Sequence, residues 1–147
     1  GVYAPALTEM FARALKLLGT RRAFVVHGHD GLDEISVCAA TRVSELKDGL
    51  IHTYDLSPEQ LIGRTAAPED LVGGGPDANA EITKKILSGE KGPKRDVVVV
   101  NAAAALMAAG AAEDFQEGIR QAEKAIDSGA AAAKLNALIE FTQYSTS

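Results

Sequence analysis

The run KGPKRDVVVVNAAAAL, residues 91–106, decides how the fold is read. Its centre, Asp96–Val100, is an aspartate followed only by valines, with Lys94 and Arg95 before it and Asn101 after it. β-Branched residues favour strands, and a short apolar run between polar flanks fits a strand buried on both faces. The run therefore predicts a central strand over 96–100 and an alanine-rich helix over 102–109. Asn101, at the junction, has two roles open, N-cap of that helix or an amide facing a ligand, and capping is the favoured one.

On the N-terminal side, Pro76 to Ser88 predicts a helix, with Ala78, Ile82, Ile86 and Leu87 on one side and Gly89 at its end. Ser57 to Gly75 is polar and proline-containing and holds at most a turn or two of helix. Arg42 to Leu46 and Leu50 to Tyr54 flank Lys47-Asp48-Gly49, whose Asp-Gly pair predicts an antiparallel hairpin. Ala23 to Val26 predicts a buried strand and Ile35 to Ala39 another. Pro5 to Leu18 places Leu7, Met10, Phe11, Ala14, Leu15 and Leu18 at helical spacing. On the C-terminal side, Asp114 with Glu117 marks a helix start. Gly129 separates that helix from a last one over about 130–141, with a frayed end over Tyr144–Ser147.

The order of elements is that of an α/β fold: a mostly parallel sheet with an antiparallel hairpin, flanked by helices. The strands are few for the apolar helical faces, so an incomplete portion of a larger α/β domain is expected, with an apolar sheet edge to hide. A length of 147 residues with 46% hydrophobic and 24% charged residues supports one core without disulfide or metal staples. Alanine occupies 26 positions, aromatics make up 5% and tryptophan is absent, so that core is built from small aliphatic side chains.

A net charge of −5 and a pI near 5.2 give no positive field for a nucleic-acid backbone or an anionic membrane. No apolar stretch is long enough to span a bilayer. The single cysteine, Cys38, sits in the apolar setting ISVCAA and reads as a small buried side chain, in keeping with a reducing cytosol.

Ligands of open α/β sheets bind beyond the C-terminal ends of parallel strands. The stretch His27-Gly28-His29-Asp30-Gly31-Leu32-Asp33-Glu34 follows the Ala23–Val26 strand and qualifies. Gly28 and Gly31 permit positive φ or a close backbone approach. Asp33 and Glu34 are adjacent carboxylates, and they serve one site only if they lie in the turn before the next strand, because neighbours within a strand face opposite ways. Such oxygen ligands suit Mg²⁺, which takes one or two carboxylates plus phosphate oxygens; an Asp-Glu pair beside a turn is, on its own, more often a solvated loop. His27 and His29 lack further nitrogen or sulfur ligands for zinc, and His27 more simply satisfies a backbone group. Gly73-Gly74-Gly75-Pro76 is a loop and helix start without the lysine and hydroxyl of a phosphate-binding loop. Lys91 to Arg95 reads as a connection with a solvated rim.

Three blocks, VVHGHDGLDEIS (Val25–Ser36), GGGPDANAEITKKILSGEKGPKRDVVVVNAAAAL (Gly73–Leu106) and AIDSGAAAAKLNAL (Ala125–Leu138), closely resemble the C-terminal part of the anthranilate phosphoribosyltransferase family. The resemblance covers essentially the whole chain, in order. It implies that residues 1–147 form the C-terminal portion of the phosphoribosyltransferase α/β domain, and that the enzyme transfers phosphoribosyl from phosphoribosyl pyrophosphate to anthranilate, releasing pyrophosphate, in tryptophan biosynthesis. It also implies that Asp33 and Glu34 coordinate Mg²⁺. A cytoplasmic enzyme, homodimeric through an N-terminal helical domain, is part of the same implication. The family's glycine-rich GTGGD loop, its Lys-His-Gly segment and its carboxylate-binding arginine do not occur here, which predicts little turnover for this chain alone. A related nucleoside phosphorylase and a non-catalytic binding module of the same fold are the competing expectations.

Overall fold

The computed structural model describes residues 1–144, without the side chain of Tyr144. The elements are α1 (Leu7–Leu17), β1 (Arg22–Gly28), β2 (Thr41–Lys47), β3 (Leu50–Leu56), α2 (Pro58–Ile62), a 3₁₀ turn (Pro68–Leu71), α3 (Pro76–Leu87), α4 (Pro93–Ala108), α5 (Phe115–Asp127) and α6 (Ala130–Tyr144). The end expected to fray is helical at Tyr144, and 145–147 lie outside the described residues.

The class is α/β as expected, but the sheet is not mostly parallel. Among the described residues it has three strands in the order β1-β2-β3, both pairs antiparallel. Asp48 (φ 50°) and Gly49 (φ 78°) form the β2–β3 turn, both in the left-handed region that a tight two-residue hairpin demands. Strand partners alternate between two faces. Val25 and Leu46 share one face and, with Ile51, receive α1 through Ala12, Leu7 and Leu15. On that face Ser44 donates to Thr8 Oγ1 at 3.0 Å and lies 2.9 Å from Thr53 Oγ1, so the buried hydroxyls of Ser44 and Thr8 have partners. Val26 and Val43 point the other way, into the main core with Val99, Val100, Ala103, Ile119, Ala122 and Ile126. The molecule is thus layered, α1 on one face of the sheet and α4 with α5 on the other.

The valine run is the main correction. It lies inside α4, continuous with the alanines, and not in a strand. Arg95, Val99, Val100, Ala103, Ala104 and Met107 are its buried residues, an i, i+4, i+5, i+8 stripe that crosses the expected strand–helix boundary without a break. Pro93 at the first helical position and Asp96 in the first turn start the helix. Strand preference for valine is weak, and packing of the stripe against β1 and α5 outweighs it. The crossing with α5 is close: a Cβ on Gly118 would stand 2.9 Å from both Cα and Cβ of Ala103.

Ile35–Ala39 is the second correction. Ile35, Ser36 and Val37 are buried, as a strand reading requires, yet no strand forms. Side chains take the hydrogen bonds that a neighbouring strand would take: Ile35 N–H donates to Asn101, Ser36 N–H to Thr41 Oγ1, and Cys38 and Ala39 N–H to Ser36 Oγ.

The 91–95 cluster is a connection, as expected, but only partly a solvated rim. Arg95 is 2% exposed and donates to Asp127 Oδ1 (2.6 Å) and Gly89 O (3.2 Å), tying the start of α4 to the end of α5. Lys94 donates to the carbonyls of Asp70 and Val72, 2.7 Å each, and holds the 3₁₀ turn on α4. The outer edge of β1, expected to need a partner, receives the N–H of Val2 at Val26 O, 3.0 Å. Among the described residues no helix is long and apolar enough to cross a membrane.

Candidate active site

The loop between β1 and β2 is shaped by two glycines with different duties. Gly31 has φ +96°, which other residues resist. Gly28 is needed for space: a Cβ there would meet Asp30 Oδ1 at 2.5 Å and Leu32 O at 3.3 Å. Gly28 N–H donates to Leu32 O at 2.7 Å and Gly31 N–H returns to Gly28 O at 2.9 Å. Asp30 accepts from the Ser36 hydroxyl, and Ser36 in turn caps the backbone of Cys38 and Ala39, so the loop closes on itself.

Asp33 and Glu34 project from this closed loop at a bend, both exposed, and Ile35 is the first residue after them to enter the core. They lie before any strand, so the condition for serving one site is met. Among the described residues neither carboxylate forms a hydrogen bond or an ion pair. They line a cleft of about 320 Å³ between β1 and α4, whose walls include Phe24, Val26, Asn101 and Ala104. Ile35 is held from α4 by Asn101, which accepts from Ile35 N–H at Oδ1 and donates from Nδ2 to Ile35 O, 2.9 Å each, with a further donation to Val97 O at 2.8 Å. Asn101 is therefore not an N-cap: it lies inside α4 at the wall of the cleft, with its amide bonded to Ile35 and Val97. The signal for its role is available once the helix is known, since an asparagine in a helix interior is disfavoured unless its amide has outside partners.

The histidines do not form a metal pair. His27 is 7% exposed and donates from Nδ1 to Val2 O at 2.9 Å, the backbone role expected for it. His29 Nε2 lies 3.1 Å from Asp55 Oδ1, and Arg42 reaches the other oxygen of Asp55 at 3.1 Å. Cys38 is half-buried, and burial first, then Asp30, pushes its thiol above the usual value, which leaves it protonated and unreactive at neutral pH. At Gly73–Gly75 the loop is filled by the Asn79 side chain, whose amide pairs with both backbone groups of Gly74.

The donor set fits a magnesium ion rather than a transition metal. Among the described residues no group of three or more His, Cys, Asp or Glu could hold a metal. Two free, exposed carboxylates are instead what Mg²⁺ uses when waters and substrate phosphates complete its shell.

A family model described as "Glycosyl transferase family, a/b domain" matches residues 1–132. The chain belongs to that family. It is 68% identical to the anthranilate phosphoribosyltransferase of Syntrophobacter fumaroxidans over 142 residues, 97% of this chain and 42% of that protein. The crystal structure of anthranilate phosphoribosyltransferase from Thermus thermophilus superposes with a TM-score of 0.87 at 38% identity, over 97% of this chain and 42% of that one. The Saccharomyces cerevisiae enzyme in complex with phosphoribosyl pyrophosphate and Mg superposes at 0.81, with 30% identity over 92% and 40% of the two chains. The chain thus spans about two-fifths of the length of the relatives it matches, as their C-terminal part.

Proposed function

We propose that this chain forms part of an anthranilate phosphoribosyltransferase and contributes the acidic pair that holds Mg²⁺ on phosphoribosyl pyrophosphate. The observation that carries this reading is the presence of two unpaired, exposed carboxylates on a loop closed by its own hydrogen bonds, in a chain 68% identical to such an enzyme. In the reaction the amino nitrogen of anthranilate bonds to C1 of the ribose. The C1–oxygen bond breaks with its electron pair leaving on pyrophosphate, and the amine gives up a proton. A bound magnesium ion supplies neutralisation of the charge that collects on the departing pyrophosphate. Asp33 and Glu34 would hold that ion, while the closed loop keeps their backbone from moving as the charge shifts. A low-dielectric wall of Phe24, Val26 and alanines on one side strengthens the attraction.

We assign the whole of 1–147 to one portion of the α/β domain, supported by α6 packing on α3 and α5. A homodimer through a helical domain outside this chain and a cytoplasmic location belong to the same reading. The test uses the full-length protein carrying this chain, with pyrophosphate release followed against anthranilate and Mg²⁺ concentration. Asp33→Ala with Glu34→Ala should lower turnover by at least roughly 100-fold, since even groups that only orient metal ligands are worth 10–100-fold. Unchanged turnover in the double variant would overturn the site, and no anthranilate-dependent pyrophosphate release in the parent would overturn the function.

A further inference from the structure

We infer that Asn101 is a positioning residue for the Asp33–Glu34 pair, acting through the backbone of Ile35; this rests on the metal-binding reading above. Ile35 directly follows Glu34, and both of its backbone groups are taken by one side-chain amide, 2.9 Å on each side. The amide thus does for Ile35 what a neighbouring strand does for a strand residue. Its third bond, to Val97 O at 2.8 Å, fixes the amide plane against its own helix and leaves no rotation free. The contact joins residues 66 positions apart, and α4 is a rigid element anchored at its start by buried Arg95 on Asp127.

Farther along, Val37 O accepts from Ala66 N–H at 2.8 Å, and the Ile35 and Val37 side chains pack with Val99 and Val100, but among the described residues only Asn101 holds the backbone of the residue directly after Glu34 on α4. Ser36 N–H is held by Thr41 Oγ1 at the start of β2 and Ser36 Oγ donates to Asp30 within the loop, so these bonds tie the segment to the sheet and to itself and do not reach α4. Asn101 also lines the cleft that the carboxylates border, so the clamp and the pair share one cavity wall. Two exposed carboxylates lose rotamer and loop freedom when they take up a common ion, and a backbone held in advance lowers that cost. Loss of the clamp should therefore appear as weaker metal binding, separate from any loss of stability.

The experiment is a titration of Mn²⁺, used as a paramagnetic probe for Mg²⁺, into the full-length protein with phosphoribosyl pyrophosphate present, read by electron paramagnetic resonance alongside Tm. Asn101→Ala should weaken Mn²⁺ binding by roughly 10-fold or more. It should raise the Mg²⁺ concentration needed for half-maximal turnover, with the KM for anthranilate unmoved. Gly118→Ala, which crowds the α4–α5 crossing without touching Ile35, should lower Tm and leave the titration where it was. Should Asn101→Ala fail to fold, Asn101→Asp keeps the acceptor for Ile35 N–H, loses both donations and should shift the titration in the same direction. Loss of Mn²⁺ binding in Asp33→Ala/Glu34→Ala with no shift in either Asn101 variant overturns the inference alone. Unchanged Mn²⁺ binding in that double variant shows that the metal reading has failed, and the inference falls with it.

Discussion

Two loops of this chain are pinned by an asparagine amide in the same way, and they differ in what the pinning accomplishes. In the Gly73–Gly75 loop, Asn79 pairs with both backbone groups of Gly74, at 2.8 and 2.9 Å, across five residues and in full exposure to water. In the β1–β2 loop, half-buried Asn101 pairs with both backbone groups of Ile35, the residue after Glu34, across 66 residues. The first clamp forms together with its own helix and closes a loop that water would otherwise satisfy. The second forms only when α4 docks on the sheet, and it carries the position of one layer into the other. The two clamps thus differ in range, and only the long-range one has free carboxylates beside it.

The comparison is broken most strongly at Ile35. This side chain is 1% exposed, so Ile35→Ala should cost about 2–5 kcal/mol in denaturant unfolding. Val72, beside the other loop, is 67% exposed, and Val72→Ala should stay within about 0.5 kcal/mol. Similar losses at the two positions would show that the loops are equivalent. A smaller effect is expected from Asn79→Ala, about 1 kcal/mol or less, because its two bonds are exchanged for bonds to water. The magnesium requirement should not move in that variant, and a shift comparable to that of Asn101→Ala would remove the distinction.

The smallest effect concerns the anchor of the helix that bears the long-range clamp. The Arg95 guanidinium first, and Lys91 after it, hold the Asp127 carboxyl below its ordinary value. A carboxyl lowered on folding adds stability that is present above the unfolded value, about 3.9, and is lost as pH falls through the lower folded value. Tm measured from pH 7 down to pH 3 should fall more steeply in the parent than in Asp127→Asn, which keeps an acceptor for Arg95 without the charge. Parallel acid limbs would show that the pair adds no charge-dependent stability.

Much of the local structure was legible in the residues. Asp48-Gly49 supplied the hairpin, Pro76 and Gly89 bounded α3, and Asp114 caps α5 by accepting from Glu117 N–H at 2.8 Å. Of the two loop glycines marked for positive φ or close approach, Gly31 shows the first and Gly28 the second. The exposure of Asp33 and Glu34 at a bend before any strand was legible too, because it follows from residue type and the neighbouring glycines. Asp96–Val100 and Ile35–Ala39 were not. Four consecutive valines carry no polar face whichever way they turn, so periodicity cannot tell helix from strand within them. For Ile35–Ala39, Ser36 within the run takes the N–H groups of Cys38 and Ala39, but the partners of Ile35 and Ser36 N–H lie on Asn101 and Thr41, outside the run.

The sequence by itself therefore determined the turns, the caps, the ends of most helices and the two carboxylates, since each follows from the stereochemistry or charge of a residue and its near neighbours. Tertiary structure alone decided that the valines are helical, that β1 joins the hairpin antiparallel to β2, and that Asn101 grips Ile35. Those outcomes depend on which apolar surface each run meets, and an apolar surface specifies burial without specifying a partner.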